Sequence, residues 1–332
     1  MEKFDETEFK RVVSAVMAPH APWRIGFAQR PPVSKNRRAA GKMLEAALAK
    51  AGLDVSKLDE MLARDRGEVR NDFRKQLAKT DFSAAENAYR QGIEAQTKAI
   101  GLLTQPFTST FITLDTAFLI WQLPHPELNI FIDSNTGSLN NFIKIRINEI
   151  TGNDAPSFVF YFLWQNTNDS AVVINAASQL APGGFCEIAA APGLFSGDSS
   201  YLGIYALFRT MRWSGWGTDP MTGQSADQTY FPGTQQSQLR SIVDLTASGG
   251  SYFVSGQDIE MQSLFFQNVD VSQNQILVPG RAVAVFEVSF NLSYGFGTGG
   301  NVEDLVNVDF NTGSNAVFCP FVLLEQFSPI GP

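Results

Sequence analysis

Chemistry at neutral pH most often recruits histidine, and the chain of 332 residues has two. His20 sits in Ala-Pro-His-Ala-Pro and His125 in Leu-Pro-His-Pro-Glu, both bracketed by prolines that hold the backbone extended. A Ser–His–Asp or Cys–His arrangement would have to use one of them. No motif sets a nucleophile or an orienting acid beside either. Cys186 and Cys319 lie far apart in apolar, strand-like surroundings. Two isolated cysteines and two isolated histidines offer neither a zinc site nor a disulfide framework, so buried free thiols are expected. No aspartate-rich loop has EF-hand spacing. The expectation is a non-enzymatic protein with no catalytic residue, metal or cofactor.

Three further patterns bear on chemistry. Gly-Phe-Gly-Thr-Gly-Gly at 295–300 fits Gly-x-Gly-x-x-Gly and follows a strand pattern. A dinucleotide site also needs a helix opening there and a parallel strand after it, and the remaining sequence lacks room for both. A glycine-rich loop between strands is expected instead. Among the carboxylates, Asp258 and Glu260 share a face if they lie on a strand, whereas Glu303 with Asp304 reads as a solvated loop or helix start. Trp213 and Trp216, in Arg-Trp-Ser-Gly-Trp-Gly-Thr-Asp, end a strand and enter a loop. Indoles beside amides and carboxylates can stack on sugars, and they serve equally to cap a core or fill a subunit contact.

The charge pattern is the stronger signal. Between Glu8 and Glu45 there is no acid, yet Lys10, Arg11, Arg24, Arg30, Lys35, Arg37, Arg38 and Lys42 occur. Residues 101–332 carry six basic and nineteen acidic side chains, a net of −13, so the first hundred residues carry +5 of the total of −8. A basic segment of this kind suits phosphates bound without sequence preference, since no aromatic interleaving or base-reading motif accompanies it. The acidic body of the same chain or of a neighbour would neutralise it equally well.

The elements that would position these groups divide the chain in three. Residues 1–42 read as a basic, proline-containing arm with a short amphipathic helix through Phe9, Val12, Val13 and Val16. Residues 43–103 read as helical. Ser34 could cap one helix, Ser56 followed by Asp59 a second, and Ser83-Ala-Ala-Glu86 forms a capping box for a third that carries Tyr89, Ile93 and Ile100. Val69, Phe73 and Leu77 make a separate narrow stripe.

From about residue 104 the hydrophobic period becomes two. It is clearest at 282–294, where Ala282, Ala284, Phe286, Val288, Phe290, Leu292 and Tyr294 oppose a mostly polar face. Other strands are expected at 107–113, 117–123, 128–132, around Ile143–Ile145–Ile147, and at 158–165, 171–176, 184–190, 202–213, 264–271 and 316–325. Turns are expected at 166–169, 181–184 and 309–313. The fold class is therefore mainly β with a helical N-terminal segment: a two-sheet antiparallel β-sandwich over 104–332, with a jelly roll the preferred topology for its long, uneven loops.

Only 17% of residues are charged while 44% are hydrophobic, which fits a surface largely covered by partners or by copies of itself. The acidic N-terminus lacks the pattern of a secretory leader, and the longest apolar run, at 158–164, is too short to span a bilayer. Cytoplasmic synthesis is expected. By architecture the chain resembles a self-assembling shell or coat subunit whose basic arm contacts nucleic acid or neighbouring subunits. The alternatives are a glycan-binding sandwich using Trp213 and Trp216, and a soluble protein that inserts into membranes after assembling.

Overall fold

The computed structural model describes residues 54–101, 109–122, 130–149, 152–191, 198–213, 239–249, 259–297 and 304–327, with a few positions between 43 and 52. The eight basic residues from Lys10 to Lys42, both histidines and Asp258 lie outside them. Two helices come first, α1 (Val55–Lys79) and α2 (Phe82–Gly101). Fifteen strands follow among the described residues: β1 (Ser109–Leu114), β2 (Leu119–Gln122), β3 (Ile130–Asn135), β4 (Phe142–Glu149), β5 (Asn153–Asp154), β6 (Ser157–Gln165), β7 (Val172–Ala189), β8 (Ser199–Trp213), β9 (Leu239–Ser248), β10 (Ile259–Phe265), β11 (Val269–Val278), β12 (Val283–Phe296), β13 (Leu305–Phe310), β14 (Ala316–Phe318) and β15 (Val322–Phe327).

These strands form two antiparallel sheets that enclose one hydrophobic core, a sandwich-like arrangement. The smaller sheet runs β2-β6-β12-β8-β9, with β5 beside β12. The larger is built around β7. On one edge of β7 lie β10 and β11, and on the other β13, β14 and β15 in turn. β4 pairs with β13 and β14, and β1 with β15. Inward residues from both sheets, including Ile143, Ile145, Ile147, Ile174, Phe160, Phe162, Phe208, Phe286 and Phe290, fill the space between. The chain passes from one sheet to the other at nearly every step from β4 onward, and only β8 and β9 are consecutive neighbours in one sheet. No helix among the described residues is long and apolar enough to cross a membrane.

β12 follows its sequence pattern. Ala284, Phe286, Val288, Phe290, Leu292 and Tyr294 all enter the core. Its other face departs from the half-exposed expectation, because Glu287, Ser289, Asn291 and Ser293 are buried too. β12 is flanked along its length by β6 and β8, and its polar residues bond to each other and to those neighbours. Ser157 donates to Asn291, Asn291 Nδ2 to Ser289, and Ser289 to the Leu207 carbonyl.

The turn expected at Ala181-Pro182-Gly183-Gly184 is instead the middle of an uninterrupted β7. Proline lacks the amide that a ladder needs. Pro182 sits where the facing strand breaks between β10 and β11, at Phe266 with φ 54°, whose amide donates to the Pro182 carbonyl at 3.0 Å. Glycine is required on either side of that break. A Cβ on Gly183 would lie 2.1 Å from the Phe266 ring, and one on Gly184 (φ 151°) 2.2 Å from the Asp309 carbonyl oxygen. The same break divides the strand expected at 264–271, and a second at Cys319-Pro320-Phe321 divides the one expected at 316–325. The other two expected turns are present. At the second, Asp309 caps the loop through the amides of Asn311 and Thr312.

The helix starts also differ from expectation. α1 is capped by Asp54, which accepts the Lys57 amide at 3.1 Å, and runs through both stripes as one helix of 25 residues. Ahead of α2, Asp81 accepts the Ala84 amide at 2.9 Å. The proposed capping pair is used elsewhere: the Ser83 hydroxyl meets that of Ser314, and Glu86 pairs with Arg90.

Candidate functional site

Helix α2 and the C-terminal part of α1 lie on the outer face of the larger sheet of their own chain. The sequence stripe through Tyr89 and Ile93 supplies the contact, with Ile93 only 4% exposed. Tyr89 packs against Phe266 and Phe318, and Phe82 stacks on Phe265 with ring centroids 5.5 Å apart. Arg90 lies over the Phe318 ring at 4.6 Å, a cation–π contact, while its Nη1 donates to Asn140. Gln179 on β7 donates to Gln96. From α1, Phe73 meets Phe185 edge-on, and Arg70 Nε donates to Glu187 Oε1 at 2.7 Å. Glu187 is 3% exposed, so this is the ion pair that fastens the helical layer to the sheet.

A second ion pair lies on the other sheet. Arg209 on β8 donates to Glu287 on β12 at 2.9 Å, and the carboxylate is 3% exposed. Tyr161 on β6 stands opposite Glu287 on the other side. Burial raises the Glu287 carboxyl above its usual range, while Arg209 and the Tyr161 hydroxyl pull it down. Burial likewise pushes the Tyr161 phenol well up, helped by the Glu287 charge. Oε1 of Glu287 has no full hydrogen-bond partner. The pair has no open cleft beside it, since the neighbouring Val159, Leu207 and Ser289 are also buried.

Two asparagines act as staples. Asn141 Nδ2 donates to the carbonyls of Asp115, Cys319 and Pro320, and its Oδ1 accepts from Ala117 and Gly137. Asn166 does the same at the β6–β7 turn through the carbonyls of Ser170, Val278 and Pro279 and the amide of Asn168.

The residues singled out by type fall as follows. Cys186 and Cys319 are free and buried. Burial pushes both thiols up, Cys319 to about 12, against a lowering hydrogen bond from Ser178. Glu260 accepts the Thr246 amide at 2.7 Å and so ties β10 to β9. Asp304 is fully buried, contrary to the solvated loop expected, and accepts the Ala191 amide. The strand after the glycine run, β13, is antiparallel to both its neighbours, which removes the dinucleotide reading. Gly295 is glycine because a Cβ would meet Asn153, whose Oδ1 accepts the Phe296 amide. Trp213 ends the β8 backbone; its side chain and all of Trp216 lie outside the described residues. Among the described residues no three His, Cys, Asp or Glu side chains are grouped to hold a metal ion. Sequence reasoning missed Glu187 and Glu287, because each partner is distant in the chain: Arg70 and Arg209.

No protein-family model matches the chain, and no curated protein does. Among solved structures, 66% of the chain aligns with 98% of CsCBM6-3 from Clostridium stercorarium, solved in complex with cellobiose, at 13% identity and a TM-score of 0.18. A score that low carries no argument about fold or ligand.

Proposed function

We propose that the protein is a non-enzymatic structural subunit that assembles with copies of itself into a shell. In this reading the sandwich tiles, and the basic arm with Lys10, Arg11, Arg24, Arg30, Lys35, Arg37, Arg38 and Lys42 meets nucleic acid or neighbouring subunits. The observation that carries it is strand order. Taken along the chain, β4, β6, β7, β8–β9, β10–β11, β12 and β13–β15 alternate between sheets so that the order in space is β4-(β13–β15)-β7-(β10–β11) over β6-β12-β8-β9. That order supports a jelly roll, the architecture of many viral coats. Fold alone is a weak guide to function. The charge split along the chain adds to it: a +5 N-terminal part precedes a −13 body.

The test is light scattering and negative-stain imaging of the purified protein across salt and concentration. Large closed particles are expected, and a strictly monomeric protein under all conditions refutes the reading. Deleting residues 1–42 then tests the arm: the 260/280 nm absorbance ratio of the particles falls if it holds nucleic acid and stays constant if it meets only protein. Lectin activity is the competing use of this topology. It rests on Trp213 and Trp216, and a sugar panel on which wild type binds and Trp216→Ala does not would favour it.

A further inference from the structure

Two apolar surfaces of this chain have no partner within it, and they match. The first is on α1. Leu58, Met61, Leu62, Val69, Phe73 and Leu77 recur at helical spacing along its whole length. Only the later part is seated, from Arg70 on Glu187 and Phe73 on Phe185. In the preceding turns Met61 is 47% and Val69 52% exposed.

The second surface is the half of the larger sheet that α2 leaves open. Along β7, Gln179 is covered by Gln96, but Ala177 and Val173 are exposed. Val173 pairs in register with Leu277 on β11 and Phe327 on β15. Phe111 on β1 lies opposite Glu325, two residues along β15. Val173 and Leu277 are 36% and 43% exposed. The outward face of an antiparallel sheet is ordinarily polar, so this cluster marks a contact surface.

We propose that residues 55–69 of α1 from one copy seat on the open half of the larger sheet (β1, β15, β7 and β11) of a second copy. This rests on the self-association proposed above and names the surfaces that carry it. Three observations select a helix of a second copy as the occupant. The same sheet face already takes a helix, α2, on its adjoining half, so the new contact continues an existing helix-on-sheet layer. The lengths agree: residues 55–69 reach roughly 22 Å at about 1.5 Å per residue, and four strands at about 4.8 Å spacing span roughly 19 Å. The two surfaces also lie toward opposite ends of β7, the helix leaving near Glu187 and the open sheet at Val173. A helix turn too short to fold back would leave both unfilled within one chain, whereas a head-to-tail neighbour fills both. Such a contact is heterologous, and it propagates into rings or larger assemblies rather than stopping at a dimer.

The experiment uses the full chain. Met61→Lys and Leu277→Lys, each on an exposed side chain, are compared with wild type by light scattering, with circular dichroism reporting fold. Each is expected to raise the concentration needed for assembly at least tenfold. In parallel, Val69→Cys and Leu277→Cys proteins are mixed and oxidised, and a disulfide-linked 69–277 pair is expected only in the mixture. Wild-type assembly unchanged in both lysine variants, with no mixed cross-link, overturns the inference and leaves self-association standing. Cross-linking of Leu277→Cys protein to itself alone points to sheet-on-sheet packing and also overturns it. A monomeric wild type removes both proposals. If a lysine variant fails to fold, the cross-linking arm decides.

Discussion

Glu287 and Arg209 stand in register on adjacent strands, β12 and β8, joined at 2.9 Å with the carboxylate almost wholly out of water. Desolvation outweighs the arginine there, and the carboxyl is held above its ordinary value of 4.5. An acid with a raised folded pKa binds its proton more tightly folded than unfolded. Its contribution to stability is full below about pH 4.5 and is lost as pH rises through the folded value. Glu287→Gln abolishes that dependence. Urea unfolding should show wild type gaining on the variant as pH falls from about 7 to about 4.5, and a constant difference across that range contradicts the assignment.

Arg70→Met leaves Glu187 buried without its cation. A broken buried pair costs about 3 kcal/mol, and here the loss falls on the contact between helix and sheet. The expected readout is faster proteolysis within α1 together with a lower urea midpoint. Adding Glu187→Leu should recover most of the loss. A double variant as weak as the single one would show that Arg70 acts through packing instead.

Gly184→Ala sets a methyl group against the Asp309 carbonyl at a φ of 151°. Overpacking and backbone strain together should cost about 3 kcal/mol. Gly152→Ala is the control: it too has positive φ, but no atom lies within 4 Å of the added carbon. Thermal melts should rank the second variant well above the first, and equal melting temperatures would contradict the packing described around β7.

Asn141→Leu strands three carbonyls and two amides that one side chain now satisfies. Unpaired buried groups cost roughly 1–3 kcal/mol each before relaxation, so a loss of about 4 kcal/mol is expected in denaturant titration. Since the carbonyls belong to residues 115, 319 and 320, hydrogen exchange should rise at both segments together. Exchange confined to one of them would mean that the staple does not couple them.

Much of the fold was legible because its signals are local. The alternation from Ala284 to Tyr294 is a property of neighbouring residues, and so is the stripe of Tyr89 and Ile93. What failed depends on partners far along the chain. Pro182 and the two glycines after it spell a turn, yet Phe266 breaks the facing strand and lets β7 run straight through. Ser83 and Glu86 spell a capping box, yet Ser314 and Arg90 engage them and Asp81 takes the cap. β9 and β13 have no counterpart in the sequence reading, for each is short and only partly alternating. The charged pairs that organise the two outer faces join residues 117 and 78 positions apart, separations at which no spacing rule operates. The arm and tryptophans on which the sequence reading placed contact with partners lie outside the described residues.

The order of the strands also sets when the molecule can become whole. β12 occupies a central position in the smaller sheet, and β13 to β15 lie between β7 and its outer neighbours in the larger one. During synthesis, a chain that has emerged only as far as β11 holds two sheets each with a gap down the middle and unpaired edges on both sides of it. Those edges are the surfaces most prone to wrong pairing. The final strands must therefore insert, not append. A ribosome-bound intermediate of this protein should need protection by a chaperone until residue 327 is clear of the exit tunnel, so its vulnerable period in the cell is nearly the whole time taken to translate it.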